Sequence, residues 1–149
     1  MKIIFILSTV LFASLFASAQ VKPVVKPTPT PATTAQPAKS SPAYAEVLFK
    51  KTELSAELEN LLMEYTEDYP AVKELRFELG LLQKDLEKLL AISDASKLSL
   101  ALGKLMVRRT ELAADVWNLQ RQYADEHPDV KRAKRKVEVF EQAIKEILP

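Results

Sequence analysis

The chain of 149 residues has no cysteine, one histidine, one tryptophan and two glycines. Each scarcity removes a class of structure or chemistry. Without cysteine there is no disulfide, no thiolate metal site, no Cys nucleophile and no lipid-modified Cys. A single histidine cannot build a His-carboxylate ligand set. Two glycines, Gly80 and Gly103, supply no Gly-rich phosphate loop, and no nucleophile elbow is present. The sequence therefore reads as non-enzymatic, with no catalytic, cofactor-binding or metal-ligating set. Six of the nine prolines precede residue 43, which leaves the remainder nearly free of helix breakers. Neither sign of charge prevails. Residues 20–42 hold three lysines and no acid, whereas residues 43–149 hold 17 basic and 20 acidic side chains. That balance lacks the basic excess of a dedicated nucleic-acid binder.

What is present begins with Met1-Lys-Ile-Ile-Phe-Ile-Leu-Ser-Thr-Val-Leu-Phe-Ala-Ser-Leu-Phe-Ala-Ser-Ala19. A basic start, an apolar run and a small-residue Ala-Ser-Ala end are the pattern of a secretory signal peptide over 1–19, cleaved before Gln20. No later stretch is apolar enough to span a bilayer, so the expectation is an exported chain, periplasmic or secreted, without a transmembrane helix after cleavage. Residues 20–41 are rich in Pro, Thr, Ala, Val and Lys. Proline fixes φ and offers no donor, so this reads as a disordered, semi-rigid Pro-rich linker.

Residues 42–149 form a helical domain containing a tandem repeat. Tyr65-Thr-Glu-Asp-Tyr-Pro-Ala-Val-Lys73 returns 58 residues later as Tyr123-Ala-Asp-Glu-His-Pro-Asp-Val-Lys131, and residues 50–90 share eleven identities with 108–148 without a gap. Internal repetition takes precedence over any element-by-element reading. Apolar residues recur at alternating steps of three and four. The first copy, about 42–92, gives Val47, Leu54, Leu58, Leu61 and Tyr65, then Val72, Leu75, Leu79, Leu82, Leu86 and Leu89. The second, about 96–149, gives Leu98, Leu102, Leu105, Leu112, Val116, Leu119 and Tyr123, then Val130, Ala133, Val137, Phe140, Ile144 and Ile147. This is coiled-coil packing, with a seam widened enough for a bundle.

Pro70 and Pro128 would each break a hydrogen bond inside a straight helix, and the acids before them favour a helix start over a helix end. They predict a stop and restart, giving helices near 42–66, 70–92, 96–124 and 128–148, with Ser41 as the first N-cap and Ser93 or Ser96 as the third. The fold class is all-α: tandem-duplicated helical hairpins forming an up-down four-helix bundle, or a long antiparallel coiled coil of two kinked helices. Glu74 and Glu78 align with Arg132 and Lys136 in the second copy, which predicts that the duplicated helices flank each other with complementary edges. Lys51 and Arg109 interrupt the seam at equivalent positions and are expected to snorkel outwards. Trp117, beside the seam, is expected at the core edge.

Two candidate sites follow. The turn motif of each repeat consists of Tyr65, Pro70 and Val72, and of Tyr123, His127, Pro128 and Val130. Spacing gives no support for a Ca²⁺ site among the acids beside them. The second site is a polyanion or partner patch of Lys131, Arg132, Lys134, Arg135 and Lys136, which is equally the pattern of a solvated helix face. Around the proline motif, Leu119, Tyr123, Asp125, Glu126, His127, Pro128, Asp129, Val130 and Lys131 resemble the coiled-coil segment of bacterial polysaccharide chain-length regulators (polysaccharide co-polymerases). Leu61, Tyr65, Glu67, Asp68, Pro70 and Val72 repeat the resemblance with Tyr69 in place of His. The flanking membrane helices, α/β domain and kinase of that family are missing, so the resemblance implies only a helical element of the cell envelope that packs against other helices. The expected function is an exported, non-enzymatic coiled-coil scaffold or adaptor of the bacterial envelope. It would bind a protein partner through helix faces, with a homo-oligomer or an acidic polysaccharide or other anionic surface as further partners. The alternatives are a periplasmic holdase-type helical chaperone and a polyanion- or polysaccharide-binding module.

Overall fold

A computed structural model describes residues 36–148. The expected signal peptide, and the linker as far as residue 35, lie outside the described residues. The elements are α1 (Gln36–Lys39), α2 (Pro42–Glu64), α3 (Pro70–Leu90), a 3₁₀ turn (Ala95–Lys97), α4 (Leu100–Gln120) and α5 (Pro128–Ile147). The described residues hold no strand. Both prolines stand at the first position of their helices, where a missing N–H costs nothing. The chain stops and restarts at each, so the two-kinked-helix alternative does not hold. The architecture is two hairpins, α2/α3 and α4/α5.

The repeat extends further than the identities suggest. Each long helix in the second copy starts 58 residues after its counterpart. Ser41 caps α2 by accepting from Tyr44 N (3.2 Å), and Ser99 caps α4 by accepting from Leu102 N (3.3 Å). The expected cap at Ser93 or Ser96 is therefore corrected. Ser96 instead donates to Asp94 Oδ1 (2.6 Å) in the 3₁₀ turn, and Leu98 plugs the core before α4 begins. The far end of the Pro-rich stretch is also ordered. Ala38 is buried, and Ser41 Oγ donates to Ala38 O (2.7 Å).

Helices α2, α3 and α4 pack mutually, and α5 lies on α4. The main core holds Val47, Leu54, Leu58, Leu75, Leu82, Leu89, Leu102 and Met106, and Ile144, Ile147 and Leu148 of α5 pack against it. Burying apolar surface of this kind is the dominant stabilising effect, about 25 cal/mol per Å². Gly103 sets how closely α4 meets α2. A Cβ there would stand 2.8 Å from Glu46 Cβ and 2.9 Å from Ala43 O. Ala43 N also donates to Leu98 O (3.3 Å), joining the starts of the two hairpins. The parallel placement of α2 and α4 puts both proline turns at one end. Among the described residues, no helix is long and apolar enough to cross a membrane.

Candidate functional site

The two turn motifs fold alike. Tyr69 N donates to Thr66 O and His127 N to Ala124 O, each at 3.0 Å. Tyr65 stacks on Tyr69 with centroids 4.1 Å apart, and Tyr123 stacks on His127 at 4.3 Å. His127 thus replaces an aromatic ring by another flat ring, and its Nδ1 accepts from Asp129 N (3.3 Å) to cap α5. Val72 and Val130 are fully buried beneath the turns. The acids at this end are engaged locally. Glu67 binds Arg76, Asp68 binds Lys73 (2.8 Å), and Asp125 binds Lys134 (3.0 Å). Arg76 holds Glu67 below the usual carboxylate range, Lys73 does the same for Asp68, and Gln120 with Lys134 for Asp125. Glu67–Arg76 and Asp125–Lys134 are equivalent pairs in the repeat. The motif is a structural stop-and-turn, and its chemistry is stacking and charge pairing.

The basic run occupies the first half of α5. Lys131, Arg132, Arg135 and Lys136 are exposed, and Lys134 is half-buried. Arg132 binds Asp129, and Arg135 binds Glu138 (2.8 Å). None of these cations meets Glu74 or Glu78, so the expected complementary edges between α3 and α5 are corrected. The reason is topological: α4 stands in the position between them. Glu74 accepts from Asn118 Nδ2 (2.5 Å) of α4. Glu78 sits under α4 near Glu74, Glu57 and Glu111. Burial foremost, and then those neighbouring acids, push its carboxyl up to about 7, against the pull of Lys50.

Arg109 also departs from expectation. It reaches inwards from α4 and binds Asp85 of α3, whose side chain is 1% exposed. Lys88 approaches the same carboxylate at 3.8 Å. Burial pushes the Asp85 carboxyl up, with Arg109 and Lys88 opposing it. The signal for this pair was present but incomplete. Arg109 is legible as a charge on the seam, whereas Asp85 lies just off the α3 seam and carries no sequence signal that it turns inwards. Trp117 stacks on Phe77 with centroids 5.7 Å apart, and Arg121 lies over the Trp117 ring at 4.8 Å, at the expected core edge.

Two of the open surfaces among the described residues bear on binding. One is an outward ridge on α2. Ala45, Phe49, Thr52, Ala56, Glu59 and Met63 follow steps of four and three, and all are exposed, Phe49 at 64% and Met63 at 80%. This second, outer seam was hidden by the stronger inner one. The other is a groove of about 560 Å³ between α4 and α5, lined by Leu112, Asp115, Leu119, Arg132, Ala133 and Lys136 among others. The described residues gather no group of three or more potential metal ligands. In comparisons with family models, curated proteins and solved structures, nothing matches this chain.

Proposed function

We propose that the protein is an exported, non-enzymatic helical scaffold or adaptor of the bacterial cell envelope, binding a protein partner through its helix faces. The observation that carries the reading is the α2 ridge. A coiled-coil spacing of Phe49, Ala56 and Met63 on the outside of a helix already packed on its inside is the pattern of a helix that engages another helix. The signal-like residues 1–19, the Pro-rich stretch after them and the chain-length-regulator resemblance of the proline motif support an envelope location. The test is a photo-crosslinking residue at Phe49 in living cells, followed by mass spectrometry and by N-terminal sequencing of the recovered chain. A short, reproducible set of envelope-assembly or polysaccharide-export proteins, on a chain beginning at Gln20, is the expected outcome. A broad set of unrelated exported clients would overturn the adaptor in favour of a holdase-type chaperone.

A further inference from the structure

The α2 ridge and the α4/α5 groove are related to each other by the repeat. Shifted by 58, Phe49, Thr52, Ala56 and Glu59 become Val107, Thr110, Ala114 and Trp117, and Leu48 becomes Met106. In the second copy these positions form the face that α4 presses onto the first hairpin. Thr110 and Met106 are each 1% exposed, whereas Thr52 is exposed and Leu48 is 41% exposed. The groove obeys the same relation. Its residues Leu112, Asp115, Arg132, Ala133 and Lys136 are the counterparts of Leu54, Glu57, Glu74, Leu75 and Glu78. Those five line the α2/α3 groove that α4 covers with Glu111, Ala114 and Asp115. The chain therefore displays, unused, both halves of an interface that it also makes internally.

We infer that a second copy of this chain fills the groove: the α2 ridge of one molecule docks head-to-tail into the α4/α5 groove of the next, repeating the contact of α4 on the α2/α3 hairpin. This deepens the scaffold reading above and rests on it. Charge selects the occupant. Inside the chain, Glu111 of α4 lies among Glu74 and Glu78, with Lys50 (3.8 Å) and Arg108 (2.7 Å) as its counter-charges. In the intermolecular version Glu53 takes the place of Glu111, while Arg132 and Lys136 take the places of Glu74 and Glu78, so two acidic neighbours become basic ones. The stacked pair Trp117 and Phe77 is replaced by Glu59 and Arg135, again of opposite sign. The divergence of charge between the repeats, which no contact between α3 and α5 explains, is accounted for by this pairing. Other occupants fit less well. Ridge against ridge, as an antiparallel pair centred on Ala56, sets Glu53 opposite Glu59. Residues 20–35 of the chain itself carry Lys22 and Lys26 and no acid, the same sign as the groove's Arg132 and Lys136. The fit is loosest at the start of α2, where Ala45 stands in for Gly103 and holds the incoming helix farther out. The contact is heterologous, so it propagates instead of closing on a dimer.

The experiment is sedimentation velocity of the full chain, as recovered from the expressing host, from micromolar to hundreds of micromolar. The wild type is expected to show species growing past the dimer with concentration. Ala56→Arg, at an exposed helix position that leaves the core untouched, is expected to abolish that growth. Glu59→Arg and Arg135→Glu are each expected to weaken association about tenfold. Mixing those two variants, or combining them in one chain, restores it. A wild type that stays monomeric throughout overturns head-to-tail assembly. The scaffold reading then stands or falls separately, on whether Phe49 crosslinks to a different protein in cells. Association that is lost in Ala56→Arg but indifferent to Arg135→Glu overturns the groove as the receiving surface.

Discussion

Cutting the ion pair between Asp85 and Arg109 tests the account of how α3 and α4 are held. Asp85 is 1% exposed and the Arg109 side chain 12%, so neither charge is well hydrated, and Lys88 at 3.8 Å assists only partly. Asp85→Ala leaves a guanidinium buried without its partner. Breaking a buried pair from one side costs about 3–5 kcal/mol, and with Arg109 retaining some access to water we expect about 3. Against a domain stability of about 5–15 kcal/mol that is a large fraction. With a urea m-value of about 1.5 kcal/mol/M it lowers the midpoint by about 2 M. The double variant Asp85→Leu with Arg109→Met removes both charges and keeps the volume. It is expected within about 1 kcal/mol of the wild type, or more stable, because desolvating two ions offsets most of their attraction. The assay is urea unfolding followed by far-UV circular dichroism on the wild type, Asp85→Ala, the singles Asp85→Leu and Arg109→Met, and their double. The reasoning fails if Asp85→Ala costs less than about 1 kcal/mol, or if the double variant loses as much as the two singles together.

Three further outcomes follow from the packing. The Glu78 carboxyl is raised to about 7 in the folded chain and titrates near 4.5 when unfolded. The folded state therefore holds the proton longer, and stability falls as pH rises from about 4.5 to 7 and is flat above. After allowance for solvent screening of a half-buried group the fall is about 1–2 kcal/mol. Glu78→Gln should flatten that slope in urea melts between pH 5 and 8, and an unchanged slope would remove Glu78 as its source. The two glycines should respond in opposite directions. Gly103→Ala drives a methyl into Ala43 and Glu46 of α2 and is expected to destabilise by about 1–3 kcal/mol. Gly80→Ala meets nothing within 4 Å and is expected to stabilise by about 0.5–1 kcal/mol. Thermal melts with equal shifts for the two would refute the close approach of α2 and α4. Thr110 Oγ1 is buried without a hydrogen-bond partner among the described residues, so Thr110→Val should raise stability by about 1 kcal/mol. A loss in calorimetry would show that the hydroxyl is satisfied.

The sequence by itself determined the all-α class, the breaks at Pro70 and Pro128, the duplication and most of the inner seam, because these depend on local rules. Proline lacks an N–H wherever it stands, serine caps the helix that follows it, and a three-four spacing puts leucines on one face of any helix. It did not determine which helices become neighbours. Seam leucines such as Leu54 and Leu112 are compatible with a closed bundle as much as with hairpins in which α5 rides on α4. Hydrophobic burial is non-directional, and charge sign only narrows the choice. The opposed charges of Glu74 and Arg132 therefore pointed to a contact that the topology does not make. What settled the arrangement was non-local. The missing Cβ of Gly103 lets α4 descend onto α2, Asp85 turns inwards to receive Arg109, and α4 comes to stand over Glu78. The tertiary structure alone separated the face of the duplicated helix that is buried, in α4, from the same face left open, in α2. A repeat spaces its residues identically in both copies, and only the position of each copy in the stack decides what covers them.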